Sequence, residues 1–244
     1  MYALQKQAGG SFIGWNEVIE KMVGGEAKVK DVCADCNNRV LGELDAYGKN
    51  LLSESGILVH NYLKRTVTLQ YDYALLLRWL LKISFNSSRT DGAHSHLFEE
   101  HIAFILGAAE VPSRYRVATA AYLASSVALD QSQLNVEPFR TAARGSSTLN
   151  PFLVRICYGF DPRCDFYTLR INIFGPLVFY MLIFNEGTLP GHAASAVRRF
   201  LKLTPGAVEM APTTRLMQLQ AGAKTWLDLY ANQVQRVHSI ARRG

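Results

Sequence analysis

The stretch Val32-Cys33-Ala34-Asp35-Cys36-Asn37-Asn38-Arg39 places two thiols three positions apart at the start of a predicted helix. Cysteines at this spacing form half of a structural zinc site, which has four protein ligands in tetrahedral geometry. The residues that precede Cys33 contain neither cysteine nor histidine. The sequence therefore predicts that Cys33 and Cys36 are metal ligands in an incomplete zinc knuckle (residues 1–56), followed by a larger α+β domain (residues 57–244).

Two other interpretations of this thiol pair stay open at this point. Cys33 and Cys36 also fit as metal-free thiols buried at a helix start, because cysteine packs as a small apolar residue. Alternatively, Cys157 and Cys164 complete a four-sulfur site with them, if a turn at Asp161-Pro162 brings the second pair together. Structural zinc is the cofactor that this pattern predicts.

The composition is that of a globular protein without a membrane span. The chain has 244 residues, of which 49% are apolar and 19% charged, enough for a sizeable core. Its 26 Lys and Arg exceed its 20 Asp and Glu, and the formal charge of +6 is compatible with an anionic partner. Ile171–Phe184 is the most apolar window, but it is shorter than the roughly 20 residues of a membrane helix.

The cysteine content indicates the compartment. Four cysteines, without a signal-peptide pattern at the start of the sequence, argue against a secreted disulfide framework. We therefore expect a cytoplasmic protein with reduced thiols.

Hydrophobic periodicity predicts three helices in the first part of the chain. Apolar residues from Val40 to Leu51 recur at helical spacing and predict one helix, although Gly42 and Gly48 lower the propensity and a break near Gly48 stays open as an alternative. Asp72–Asn86 carries a clearer i, i+3, i+4, i+7 stripe. Ser95–Leu106 is predicted as a third helix, with Gly107 as its end.

The rest of the chain predicts an antiparallel sheet closed by a helix, which makes the fold class α+β. Pro190-Gly191 predicts a loop, and Thr214–Arg242 is predicted as a long amphipathic closing helix. Segments rich in β-branched and aromatic residues predict the strands: Tyr115–Ala124, Pro151–Phe160, Phe166–Ile173 and Leu177–Phe184.

The N-terminal pattern resembles the HNH endonucleases of the Cys-x-x-Cys-Asn type. It consists of Gly24-Gly25, then Cys33-Ala34-Asp35-Cys36-Asn37-Asn38, then Leu41-Gly42 and Leu44-Asp45, and it covers about an eighth of the chain, Asn16–Asp45. The resemblance implies a ββα-metal fold, in which a strand histidine deprotonates water beside a divalent cation such as Mg²⁺. It also implies DNA as the partner and a bacterial or phage origin.

The chain departs from that family at the catalytic positions. Glu17 stands where the family has its histidine, Glu20 where it has proline, and Lys28 about where it has a middle asparagine. Asn37 keeps the family's helix metal position. Because a carboxylate of ordinary pKa is a poorer general base than histidine, Glu17 is a weak catalytic candidate.

The resemblance therefore implies an N-terminally truncated or degenerate HNH-like, nucleic-acid-directed protein with impaired nuclease activity. The alternative is a non-enzymatic interaction protein whose function lies in the C-terminal α+β domain.

Two further groups are candidate sites with ordinary alternatives. Arg78, Lys82 and Arg89 follow one helix face and are predicted to bind nucleic-acid phosphates, although any surface helix has such a polar face. His96 and Glu100 lie four residues apart, a spacing that a metal can bridge on a helix, but a solvated helix start explains them equally.

Overall fold

The computed structural model describes residues 13–16, 21–24, 32–58, 65–91, 94–125, 154–159, 164–225 and 228. These residues form an α+β fold, which confirms the predicted class. A π-helical segment, Cys36–Val40, leads into α1, and a 3₁₀ helix, Ser95–His101, leads into α3. The elements in chain order are β1 (Ile13–Asn16), β2 (Lys21–Gly24), α1 (Leu41–Glu54), β3 (Thr66–Gln70), α2 (Tyr73–Asp91), α3 (Ile102–Ile105), β4 (Val117–Ser125), β5 (Val154–Gly159), β6 (Tyr167–Phe174), β7 (Leu177–Phe184), α4 (Pro190–Leu203), β8 (Val208–Met210) and β9 (Leu216–Thr225).

A seven-stranded sheet forms the centre of the fold. Its strand order is β3-β9-β4-β7-β6-β5, and β8 pairs with β4. The β4–β9 pair is parallel and the other pairs are antiparallel. Four of its strands, β4 to β7, confirm the strands predicted from composition. Strands β1 and β2 form a separate antiparallel hairpin in which Ile13 pairs with Gly24.

Helices cover both faces of the sheet. Odd-numbered residues of β4 and β7, such as Phe179, belong to a core shared with α1, α2 and α3. Even-numbered residues, such as Tyr180, belong to a second core closed by α4. Because both faces are covered, every residue of β7 is buried and the strand is apolar throughout. Among the described residues, no helix is long and apolar enough to span a bilayer.

The single helix predicted from Val40 to Leu51 forms as α1, and the alternative of a break near Gly48 does not hold, because α1 is continuous through that position. Gly48 is buried against α2, and a Cβ added to it would overlap the indole ring of Trp79. Glycine is required there for the close approach of the two helices, which outweighs its low helix propensity.

The next two predicted helices form, with differences at their ends. Asp72 caps α2, since its Oδ1 accepts a hydrogen bond from the Leu75 N–H at 2.9 Å, and α2 continues past the predicted end to Asp91. The predicted Ser95–Leu106 helix begins as a 3₁₀ helix and becomes α-helical at Ile102. It stops as expected before Gly107, which has φ +80°.

The C-terminal half contains two corrections. The predicted helix from Thr214 is wrong over Leu216–Thr225, which is strand β9. Met217 and Leu219 are buried while their neighbours are exposed, so the period is two rather than 3.6. The part of that predicted helix after Thr225 lies outside the described residues, apart from residue 228. Pro190-Gly191 does not form the predicted loop, because Pro190 opens α4 at a position where proline needs no N–H partner.

Candidate functional site

The two N-terminal thiols lie together at a helix start. The Asn37 N–H donates to the Cys33 carbonyl oxygen at 2.9 Å, so Cys33 is the cap of the helical run that begins at Ala34. The Cys36 N–H donates to Cys33 Sγ at 3.2 Å. The sulfur thus occupies the place of the oxygen of a serine or aspartate cap. Cys33 is exposed and Cys36 half-buried, which does not support the interpretation of two buried thiols.

The hydrogen bonds between Cys33 and Cys36 shift the pKa values of the two thiols in opposite directions. The pKa of Cys33 lies below its ordinary value, first because the Cys36 side chain hydrogen-bonds to it and second because the Cys36 N–H does so. The same side-chain bond raises the pKa of Cys36. Cys33 therefore loses its proton first, and a thiolate is the form that attacks electrophiles and binds metals.

An ion pair flanks the thiols on the solvent side. Arg39 donates to both carboxylate oxygens of Asp35, from Nε at 3.2 Å and from the terminal nitrogen at 3.0 Å. Both side chains are exposed, and this hydrogen bond raises the pKa of Arg39. Asn37 is exposed on the same turn. Glu17, the weak catalytic candidate, lies outside the described residues, as do Glu20 and Lys28.

The described part of the chain holds no cluster of three or more His, Cys, Asp or Glu that could bind a metal. Cys157, on β5, and Cys164, before β6, are therefore not brought to Cys33 and Cys36, and the four-sulfur site does not form from these residues. The thiol pair supplies two of the four ligands that a structural zinc needs.

The local structure around His96 and Glu100 favours the solvated interpretation over a metal bridge. They lie on the 3₁₀ helix, which has three residues per turn, so positions four apart do not share a face. Glu100 forms an ion pair with Arg116 and also lies 3.4 Å from His101 Nε2. The exposed side chain of His96 agrees with the solvated interpretation.

The cations predicted to contact phosphates are engaged inside the protein. Arg78 Nε donates to the Ile105 carbonyl oxygen at 3.0 Å. Lys82 is buried and its Nζ lies 2.6 Å from Asp45 Oδ1. Arg89 lies over the Phe85 ring at 5.1 Å, and burial lowers its pKa. The contacts of Arg78 and Lys82 fix α2 against α3 and α1, and nucleic-acid binding by this row stays a prediction.

Sequence reasoning missed a buried polar cluster between α2 and the β5–β6 edge. Arg170 is fully buried, and one of its terminal nitrogens donates to the Ser84 carbonyl oxygen at 3.1 Å. Ser84 Oγ donates to Asn172 Oδ1 at 3.1 Å, and the Ser88 and Tyr158 hydroxyls lie 2.5 Å apart. The only sequence signal is the presence of Arg170 and Asn172 two positions apart on one face of an apolar strand.

It also missed the exposed face of α4, because the segment was predicted to be a loop. This face carries Arg198 and Lys202, four residues apart. An acid-free run between Glu186 and Glu209 is the signal that could have identified it.

Comparison of the chain with protein-family models, with curated proteins and with solved structures found no match.

Proposed function

We propose that this chain is an HNH-endonuclease-like, nucleic-acid-directed protein in which Cys33 and Cys36 are zinc ligands. The observation that supports the proposal is the order in which the N-terminal elements follow one another along the chain. A short antiparallel hairpin, β1–β2, comes first, and a helix then opens on two adjacent, solvent-accessible thiols. This order agrees with the ββα-metal fold that the resemblance implies.

The chemistry of the pair suits zinc. Zinc binds deprotonated sulfur, and hydrogen bonds from Cys36 favour the thiolate of Cys33. Exposure of Cys33 allows an ion to reach it. Such thiolates persist in a reducing compartment, so we assign the protein to the cytoplasm.

Nuclease activity is not expected to be strong. Asn37 offers a carbonyl oxygen at the helix position that holds the catalytic cation in the family, and oxygen ligands suit Mg²⁺. Glu17, at the position of the general base, is a poor substitute for histidine near neutral pH. We therefore propose that binding to DNA, favoured by a net charge of +6, is better retained than cleavage.

Elemental analysis of the purified protein tests the metal assignment. We expect near-stoichiometric zinc in the wild type, and its loss in Cys33→Ser and Cys36→Ser with an unchanged circular dichroism spectrum. Cys164→Ser is the matched control and should keep its zinc. A wild type that binds no zinc after refolding with the ion would refute the assignment.

DNA binding and plasmid nicking, with Mg²⁺ or Mn²⁺, test the rest of the proposal. We expect binding to duplex DNA with little or no nicking. If the protein neither holds zinc nor binds DNA, the result supports the alternative of a non-enzymatic interaction protein. The internal contacts of Arg78 and Lys82 favour this alternative, because they engage two of the three cations that were predicted to contact phosphates.

A further inference from the structure

The exposed face of α4 forms a continuous stripe of small and basic residues. Gly191, Ser195, Arg198 and Lys202 follow one another at i, i+4, i+7 and i+11, which places them on one side of a helix. All four are exposed. The helix contains no aspartate or glutamate, so nothing on α4 itself opposes the positive charge of this side.

The other side of α4 holds the helix firmly on the sheet. Ala193, Ala196, Val197 and Phe200 are buried in the second core. The ring centroid of Phe200 lies 5.0 Å from that of Tyr180, in an edge-to-face arrangement. The stripe is therefore presented by a fixed element rather than by a loop, and its cations keep a defined spacing.

The cations of this stripe are not used in the described fold. Where Arg39, Lys82, Arg114 and Arg116 each lie within 4.0 Å of a carboxylate oxygen, Arg198 and Lys202 make no ion pair with the residues that the structure describes. Their charge is available to an external anion. This contrasts with Arg78 and Lys82, whose polar atoms are engaged within the protein.

We propose that the Gly191-Ser195-Arg198-Lys202 stripe binds the phosphate backbone of duplex DNA. This inference rests on the proposed nucleic-acid function and names the surface that performs it. Arg198 and Lys202 lie about 6 Å apart along the helix axis and supply the charge. Gly191, which lacks a side chain, and the small Ser195 allow close approach of a sugar-phosphate strand, and the Ser195 hydroxyl can donate to a phosphate oxygen.

The burial of α4 argues against a lipid surface as the occupant. An interfacial helix binds membranes by inserting its apolar side between the lipids. In α4 that side is already packed against the sheet, through Ala196 and Phe200. The exposed apolar side chains, Leu189 and Leu203, lie at the two ends of the helix and not within the stripe. Between them the stripe presents Ser195, Arg198 and Lys202, which fits a polyanion whose charges lie outside the protein.

The test is the salt dependence of binding to a short DNA duplex of random sequence. The plot of log K for DNA binding against log salt has a negative slope, to which each phosphate contact contributes about −0.9. Neutralising both cations, in Arg198→Gln/Lys202→Gln, should make this slope shallower by about 1.8. The matched control is Arg65→Gln/Arg215→Gln, which removes the same charge from two exposed residues outside the stripe. We expect the control slope to stay within experimental error of the wild type.

The outcomes separate this inference from the proposal on which it rests. If the wild type binds the duplex and both variants keep its slope, the surface assignment is wrong while the DNA function stands. An equal loss in both variants indicates net charge rather than the stripe and also overturns the inference. If the wild type binds anionic vesicles but no duplex, the DNA function itself fails. Unchanged melting temperatures confirm that both variants fold.

Discussion

The guanidinium of Arg170 lies over the phenol ring of Tyr158, with Cζ 3.9 Å from the ring centroid. The two residues are directly opposite each other in the β5–β6 register. Arg170 also donates to the Ser84 carbonyl oxygen of α2, so one buried side chain ties the edge of the sheet to the helix that covers it. A planar cation stacked on an aromatic ring is attracted to the ring's negative face, more strongly when water is excluded.

Arg170→Lys should therefore destabilise the fold although the charge is kept. An ammonium group is compact and cannot both stack on the ring and reach Ser84 with the same fork geometry. We expect the free energy of unfolding to fall by about 2–4 kcal/mol, the range for disrupted buried charge contacts. Urea unfolding measures it. Arg198→Lys, at an exposed position, is the control and should stay within about 0.5 kcal/mol of the wild type.

A second prediction concerns the contact of Gly48 with Trp79. Gly48→Ala should lower the free energy of unfolding by about 1–3 kcal/mol, because the added methyl group forces α1 away from the fully packed indole. Gly42→Ala, in the same helix, is the matched control, because a Cβ there meets only the Asn37 carbonyl oxygen at an ordinary 3.5 Å. That substitution should be neutral or stabilising by up to about 1 kcal/mol. A similar effect of both substitutions would show that propensity, not packing, decides at Gly48.

The same glycine shows why some elements could be predicted and others could not. Strands β4 to β7 are rich in β-branched and aromatic residues, and this composition alone identified them; β7 is apolar throughout because helices cover both faces of the sheet there. The continuity of α1 through Gly48 depends on a tryptophan 31 positions away in the sequence, which local propensity does not record. In β9, Leu216 and Leu219 have the three-residue spacing of a helix, whereas Met217 and Leu219 have the two-residue spacing of a strand. Pairing with β3 decides for the strand.

The candidate site, too, contains one part that the sequence could predict and one part that it could not. The thiol pair is local, so its spacing predicted its proximity, and Cys33 and Cys36 are adjacent. The phosphate-binding row was predicted from one helix alone. Whether its cations face solvent depends on which elements pack against that helix. Asp45 of α1 reaches Lys82 and the Ile105 carbonyl oxygen reaches Arg78, contacts that only the tertiary structure reveals.

A third prediction concerns pH and the buried imidazole of His101. Burial lowers its pKa, the nearby Arg116 acts in the same direction, and Glu100 opposes them. Because the unfolded chain binds the proton more readily than the folded one, the stability that depends on neutral His101 is present above about pH 6.5 and is lost as the pH falls. We expect a loss of up to about 1.4 kcal/mol for each pH unit below that value, until the pH reaches the lowered pKa of the folded state.

Urea unfolding at pH 7.5 and 5.5 measures this effect. His101→Leu should reduce the difference between the two pH values, because it removes the titrating group while keeping an apolar side chain in the site. His192→Leu is the control, since His192 is exposed on α4, and it should keep the wild-type difference. If His101→Leu leaves the difference unchanged, other groups are responsible for the acid sensitivity.

The fourth prediction concerns the different pKa values of Cys33 and Cys36, at the start of the helical segment that leads into α1. In the metal-free protein, Cys33 should react with an alkylating reagent at lower pH than Cys36, because hydrogen bonds from Cys36 lower the pKa of Cys33 and raise that of Cys36. Peptide mass mapping over a pH series measures both rates in one sample. Cys36→Ala removes the side-chain donor but keeps the N–H, so the pKa of Cys33 should move part of the way back toward its ordinary value. Equal pH profiles for the two thiols in the wild type would contradict the capped geometry, in which the sulfur of Cys33 replaces the oxygen of an ordinary cap.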